Sequence, residues 1–130
     1  MKKIICAALL ALAARTPAPA AEQPPARALD GDTIVILGEH IRVMDYDSAE
    51  LFHPRCPKER ELALDAQNRL QGLLDTGYRL ERHGREKYGR SLARVYDGND
   101  LNVADIMVGD RPQHSRPYNG RGKRSGWCGP

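Results

Sequence analysis

The chain has 130 residues, 20 of them Lys or Arg and 17 Asp or Glu, with a formal charge of +3. That length suits one small domain able to bury about two-thirds of its unfolded surface, and it leaves no room for several. No segment after the first twenty residues is long and apolar enough to span a bilayer, which takes roughly 20 apolar residues.

Met1-Lys2-Lys3 is a basic start, residues 4–14 are apolar, and Ala18-Pro19-Ala20 closes a small-residue stretch. This pattern predicts a secretory signal peptide over residues 1–20 and a protein exported to the periplasm or the medium. Cys6 lies too early for a lipoprotein anchor. Removing that segment leaves 17 basic residues against 17 acidic, so overall basicity says little about partners. Distribution says more. From Arg111 onward the chain carries Arg111, Arg116, Arg121, Lys123 and Arg124 with no acid, which suits either a nucleic-acid contact or a solvated tail.

Residues 21–27 read as a flexible lead-in, and residues 28–128 as the domain. Residues 33–37 and 41–44 are β-branched runs about a turn at 38–40, and together predict a hairpin. Residues 25–29 show no clear strand pattern. Residues 47–58 read as irregular, with Pro54 and Pro57. Residues 59–74 form the clearest helix, with Leu62, Ala66, Leu70, Leu73 and Leu74 on one face and Glu61, Asp65, Gln67 and Asn68 elsewhere. Thr76-Gly77 stops it. Strands at 78–82 and 91–96 flank a polar loop, Asp97-Gly98 turns the chain, and Asn102 caps a short helix over 103–108. The sum is an α+β domain with a small closed or nearly closed sheet. Cys56 and Cys128 read as a disulfide, whose long loop contributes about 4 kcal/mol in the chain-entropy account. His40, His53, His83 and His114 lack ligand spacing, which argues against zinc.

Four short motifs carry the chemistry: Asp30-Gly31-Asp32-Thr33, Arg42, Asp47-Ser48-Ala49-Glu50 and Lys87-Tyr88-Gly89-Arg90. Each has an ordinary use. Asp-Gly makes a turn, Asp-x-x-Glu caps a helix, an arginine in a strand pairs across it, and Tyr-Gly-Arg leads into a strand. Their joint occurrence asks for more. Carboxylates side by side need a cation, and two arginines at one place need an anion.

The order and spacing of these motifs resemble the staphylococcal nuclease (thermonuclease) family over residues 27–128. The resemblance implies a five-stranded OB-fold barrel with packed helices. It implies Ca²⁺ held by Asp32, Asp47 and the Ser48 carbonyl, Glu50 as general base, and Arg42 and Arg90 on the phosphate. It further implies substrate contacts from Tyr88, Lys87 and Tyr118, and a monomer that cuts DNA or RNA to leave 3′-phosphate ends. Ala49 stands where the family usually has proline. The competing expectation is an OB-fold that binds nucleic acid or a protein without cutting. For Arg42 and Asp47 to share one phosphate, a stretch of about 16 Å if extended must bend between Val43 and Asp47.

Overall fold

Ala26 and Ala28 are buried and Arg27 between them is exposed, the period of two that makes residues Ala26–Ala28 a strand, β1. It takes up the end of the segment expected as a lead-in, and supplies the strand that the sequence disguised. The computed structural model describes residues 22–120 and 126–129; the expected signal peptide and Arg121, Lys123 and Arg124 lie outside them. After β1 come β2 (Thr33–Ile36), β3 (Glu39–Val43), β4 (Tyr46–Ser48) and helix α1 (Pro57–Asp75). The order continues with β5 (Tyr78–Arg85), β6 (Ser91–Asp97), helix α2 (Val103–Gly109) and β7 (Ser115–Pro117).

The fold is α+β, with a mixed five-stranded sheet in the order β1-β2-β3-β6-β5. All neighbours are antiparallel except β3 and β6, which run parallel with Arg42 opposite Leu92. The β2–β3 turn is shorter than expected. Leu37 and Gly38 alone make it, at φ of 49° and 80°, so Glu39 and His40 belong to the strand. β4 and β7 form a separate two-stranded ladder. The sequence offered neither, because β4 is buried at all three positions and so shows no alternation.

β1 and β5 are the edges of the sheet, and no ladder joins them among the described residues. Side chains cover both. The Gln71 amide pairs with the Ala28 N–H and the Ala26 carbonyl, and Gln67 donates to the Ala28 and Leu29 carbonyls. Gln67 therefore faces the sheet, not solvent as its place outside the leucine face suggested; α1 blunts the β1 edge with two glutamines. At the other seam Gln23 donates to the Tyr78 carbonyl at 2.7 Å and accepts from its N–H at 3.3 Å.

α1 is started by Cys56, whose sulfur accepts the Glu59 N–H, while the Glu59 carboxylate takes the Arg55 N–H at 2.7 Å. This is the reciprocal logic of a capping box. It ends where Gly77, at φ 104°, donates to the Leu74 carbonyl. Ala66, Leu70, Leu73 and Leu74 pack on Ile34, Ile41, Val43, Val95 and Met107 as the main core. Leu62 leaves that face and joins a second small core with Ala49, Ala63, Leu51 and Trp127. Cys56 and Cys128 are bonded, 72 residues apart. Among the described residues no helix is long and apolar enough to cross a membrane.

Candidate active site

The first acidic motif is held by close packing. A Cβ on Gly31 would lie 2.5 Å from Ser48 Oγ and 2.6 Å from Ala66 Cβ, so only glycine lets this loop sit against β4 and α1. Asp30 Oδ1 accepts the Asp32 N–H, turning the chain, and Asp32 Oδ2 accepts the Ser48 N–H at 3.0 Å. Asp32 is fully buried and Asp47 nearly so. Tyr46, also fully buried, donates its hydroxyl to the Gly31 carbonyl, and burial pushes its pKa well above the ordinary value.

The required bend after β3 is present. Asp45 takes a φ of 77°, rare for a residue other than glycine. Its carboxylate is gripped by Arg94 at 2.7 Å, and its carbonyl accepts the Tyr118 N–H. The chain therefore doubles back on Arg42. The Arg42 guanidinium donates to the Val43 and Tyr46 carbonyls and to Asp47 Oδ1, with Nη2 also 3.6 Å from Asp32 Oδ2. Arg42 is not the exposed cross-strand partner that its place in a strand allows; its side chain is 11% exposed.

The second arginine comes from the loop between β5 and β6. Gly89, at φ 86°, donates to the Glu86 carbonyl, and Glu86 donates its N–H to the Arg90 carbonyl. This folds Arg90 back on Glu86, which binds it through both oxygens. Each shifts the other: the Arg90 hydrogen bonds hold Glu86 below the usual carboxylate range, and Glu86 raises Arg90. Arg90 Nη1 reaches Thr33 Oγ1 at 3.2 Å, beside Asp32. Glu86 and Thr33 are site residues that the sequence reading did not select; the four-residue spacing of Glu86 from Arg90 was the available signal.

These groups share one cleft of about 500 Å³, whose walls include Arg42, Asp47, Glu86, Lys87, Tyr88, Arg90 and Tyr118. Tyr88 and Tyr118 are 76% and 58% exposed, and the Lys87 ammonium lies 4.9 Å from the Tyr88 ring centre. Asp32 and Ser48 lie behind the wall, tied to it through Arg42 and β4. Glu50 is not part of the wall. Its Oε1 accepts the Phe52 N–H at 3.0 Å. A larger depression of about 700 Å³ lies at the β5 seam; among its charged residues Glu39 pairs with Arg82, and Arg79 pairs with Asp100. The smaller cleft is the better site, because it gathers Arg42, Lys87, Arg90, Asp45, Asp47 and Glu86 with the exposed rings of Tyr88 and Tyr118.

Among the described residues no three His, Cys, Asp or Glu side chains cluster as a metal site. The chemistry of the donors nevertheless fits a hard cation. Asp32 and Asp47 converge on one positively charged nitrogen, and Ser48 is fixed beside them.

Compared with known proteins, the chain matches no protein-family model and no curated protein.

Proposed function

We propose that this chain is a staphylococcal nuclease-like phosphodiesterase: an exported, Ca²⁺-dependent enzyme that hydrolyses DNA or RNA. The observation that carries this reading is the convergence of Arg42, Arg90 and the buried Asp47 on one cleft, with the buried Asp32 behind its wall 3.6 Å from the Arg42 guanidinium. Arg42 balances part of the charge of Asp32 and Asp47, and a divalent cation would supply the rest beside a phosphodiester. The OB-fold barrel is part of the proposal. The mixed sheet supports it, with its β1 edge covered by α1 and its β5 seam bridged by Gln23. The disulfide supports export.

Asp32, Asp47 and the Ser48 carbonyl are the residues that would hold calcium, whose charge would neutralise the phosphate and polarise its oxygen. The chain's own groups do the rest. Arg90 presents a guanidinium anchored by Glu86, which keeps its plane fixed as charge builds on the phosphoryl oxygens. Arg42 adds fixed positive charge from the cleft floor. Lysine at either place lacks the planar fork. Glu50 takes the proton of the attacking water once its carboxylate turns from the Phe52 N–H toward the cleft. Tyr88 and Tyr118 offer exposed rings on which bases stack without regard to sequence.

One observation favours a second reading, a binding module that does not cut: the Glu50 carboxylate is tied to Phe52 and does not line the cleft. The experiment that separates them is turnover of Glu50→Ala and Arg90→Ala against the parent protein. A nuclease loses activity by orders of magnitude in both, roughly a hundredfold or more. Parent-like turnover in either variant overturns the role given to that residue.

A further inference from the structure

Glu50 is flanked by two residues that belong to neither the cleft nor the main core. Ala49 is fully buried and Leu51 is partly buried, and both pack against Ala63 and Leu62 of α1 and against Trp127. Trp127 is the one tryptophan of the chain. It is 4% exposed and is covered on its other side by the Arg116 guanidinium of β7, 3.8 Å from the ring centre. The next residue, Cys128, is bonded to Cys56, the cap of α1. A residue from the far end of the chain thus closes the small core around the Glu50 loop, and a covalent tether holds it there. Ala49 adds a backbone bond from its N–H to the His114 carbonyl at 2.9 Å, which proline at that place could not make.

We infer that Trp127, tethered by the Cys56–Cys128 bond, is a positioning residue for Glu50. The inference rests on the reading of Glu50 as the base. Trp127 does not line the cleft, so it acts by fixing the backbone on both sides of Glu50. Arg42 and Arg90 are held by bonds of their own, to Asp47 and to Glu86. Loss of the ring therefore loosens the base while leaving the phosphate grip in place. The contribution lies in the shape of the ring. Trp127 Nε1 is buried without a hydrogen-bond partner among the described residues, so phenylalanine forfeits no bond and retains most of the packing.

The test compares Trp127→Ala and Trp127→Phe with the full mature protein by amide hydrogen exchange and by kinetics on single-stranded DNA with Ca²⁺. The Phe52 N–H is the direct reporter, because its acceptor is Glu50 Oε1. Trp127→Ala is expected to speed exchange at Leu51 and Phe52 by about tenfold while Ile34 and Ile41 stay protected. It lowers kcat by about tenfold with KM nearly unchanged, and Trp127→Phe restores both. Unchanged exchange at Phe52, or an equal rise at Ile34 and Ile41, overturns the inference, since the latter is general loss of stability. Should Trp127→Ala not fold, the Cys56→Ser/Cys128→Ser pair keeps the ring, cuts the tether and answers the same question. If the parent protein hydrolyses nothing, the nuclease reading falls, and the exchange comparison alone decides whether Trp127 fixes Glu50.

Discussion

Arg90 and Glu86 face each other fork to fork, with Nε 2.6 Å from one carboxylate oxygen and Nη2 3.0 Å from the other. On the proposed reading, an arginine that meets a phosphate in one orientation is thereby fixed before substrate arrives, at the cost of a negative charge in the cleft wall. Glu86→Ala leaves the guanidinium without its anchor. Turnover is expected to fall by about tenfold, with Glu86→Gln recovering part of it through the remaining hydrogen bond. Steady-state kinetics of the two variants checks this; equal activity in both and in the parent contradicts it.

Arg42 makes a different kind of contact, buried and shared between two carboxylates. Removing it takes away the positive charge that Asp32 and Asp47 share. Arg42→Ala is expected to lower stability by about 3 kcal/mol in urea unfolding. Added Ca²⁺ restores more of that loss in the variant than it adds to the parent, because the carboxylates then lack their internal cation. A variant that unfolds at the parent midpoint, with or without Ca²⁺, contradicts the arrangement.

His114 gives the fold a pH dependence near neutrality. It is buried between Ser115 Oγ at 2.8 Å and Asp110 Oδ2 at 3.5 Å, and burial pushes its pKa below the ordinary value despite the nearby acid. The unfolded chain therefore takes up this proton first as pH falls. Stability is level above about pH 6.5, the unfolded value, and declines as pH drops toward the lower folded one. Urea midpoints from about pH 8 to about pH 5 should show this decline, and His114→Gln should flatten it. A parent midpoint that rises on acidification contradicts the assignment. The Glu39 carboxylate is held down to about 2, chiefly by its Arg82 hydrogen bond and then by Ser91, so it titrates well below this window.

Much of the fold was legible because its signals are local. The Leu70, Leu73 and Leu74 spacing, the Gly77 stop and the Asn102 cap each act within a turn or two of chain, and each is found where expected. The three-residue ladder of β4 and β7 was not legible, because its strands exist only through each other and carry no periodicity. The turn at Leu37-Gly38 was misjudged by its right-hand boundary, since Glu39 looks like a turn residue but finds Arg82 and Ser91 across the sheet. In the site, Arg42, Asp32 and Asp47 could be picked out by charge. That they meet depends on a positive φ at Asp45, which aspartate tolerates better than most residues but does not by itself announce. The role of Gln67 and Gln71 was hidden for a related reason: amides that serve a sheet edge look like any polar helix face.

On the proposed reading, this cleft cuts phosphodiester bonds with a divalent cation. Purified mature protein, incubated with plasmid DNA and with RNA in Ca²⁺ and in EDTA, tests it most directly. Fragments bearing 3′-phosphate ends are expected in Ca²⁺, and intact polymer in EDTA. Intact polymer in both, or cleavage that continues undiminished in EDTA, contradicts it.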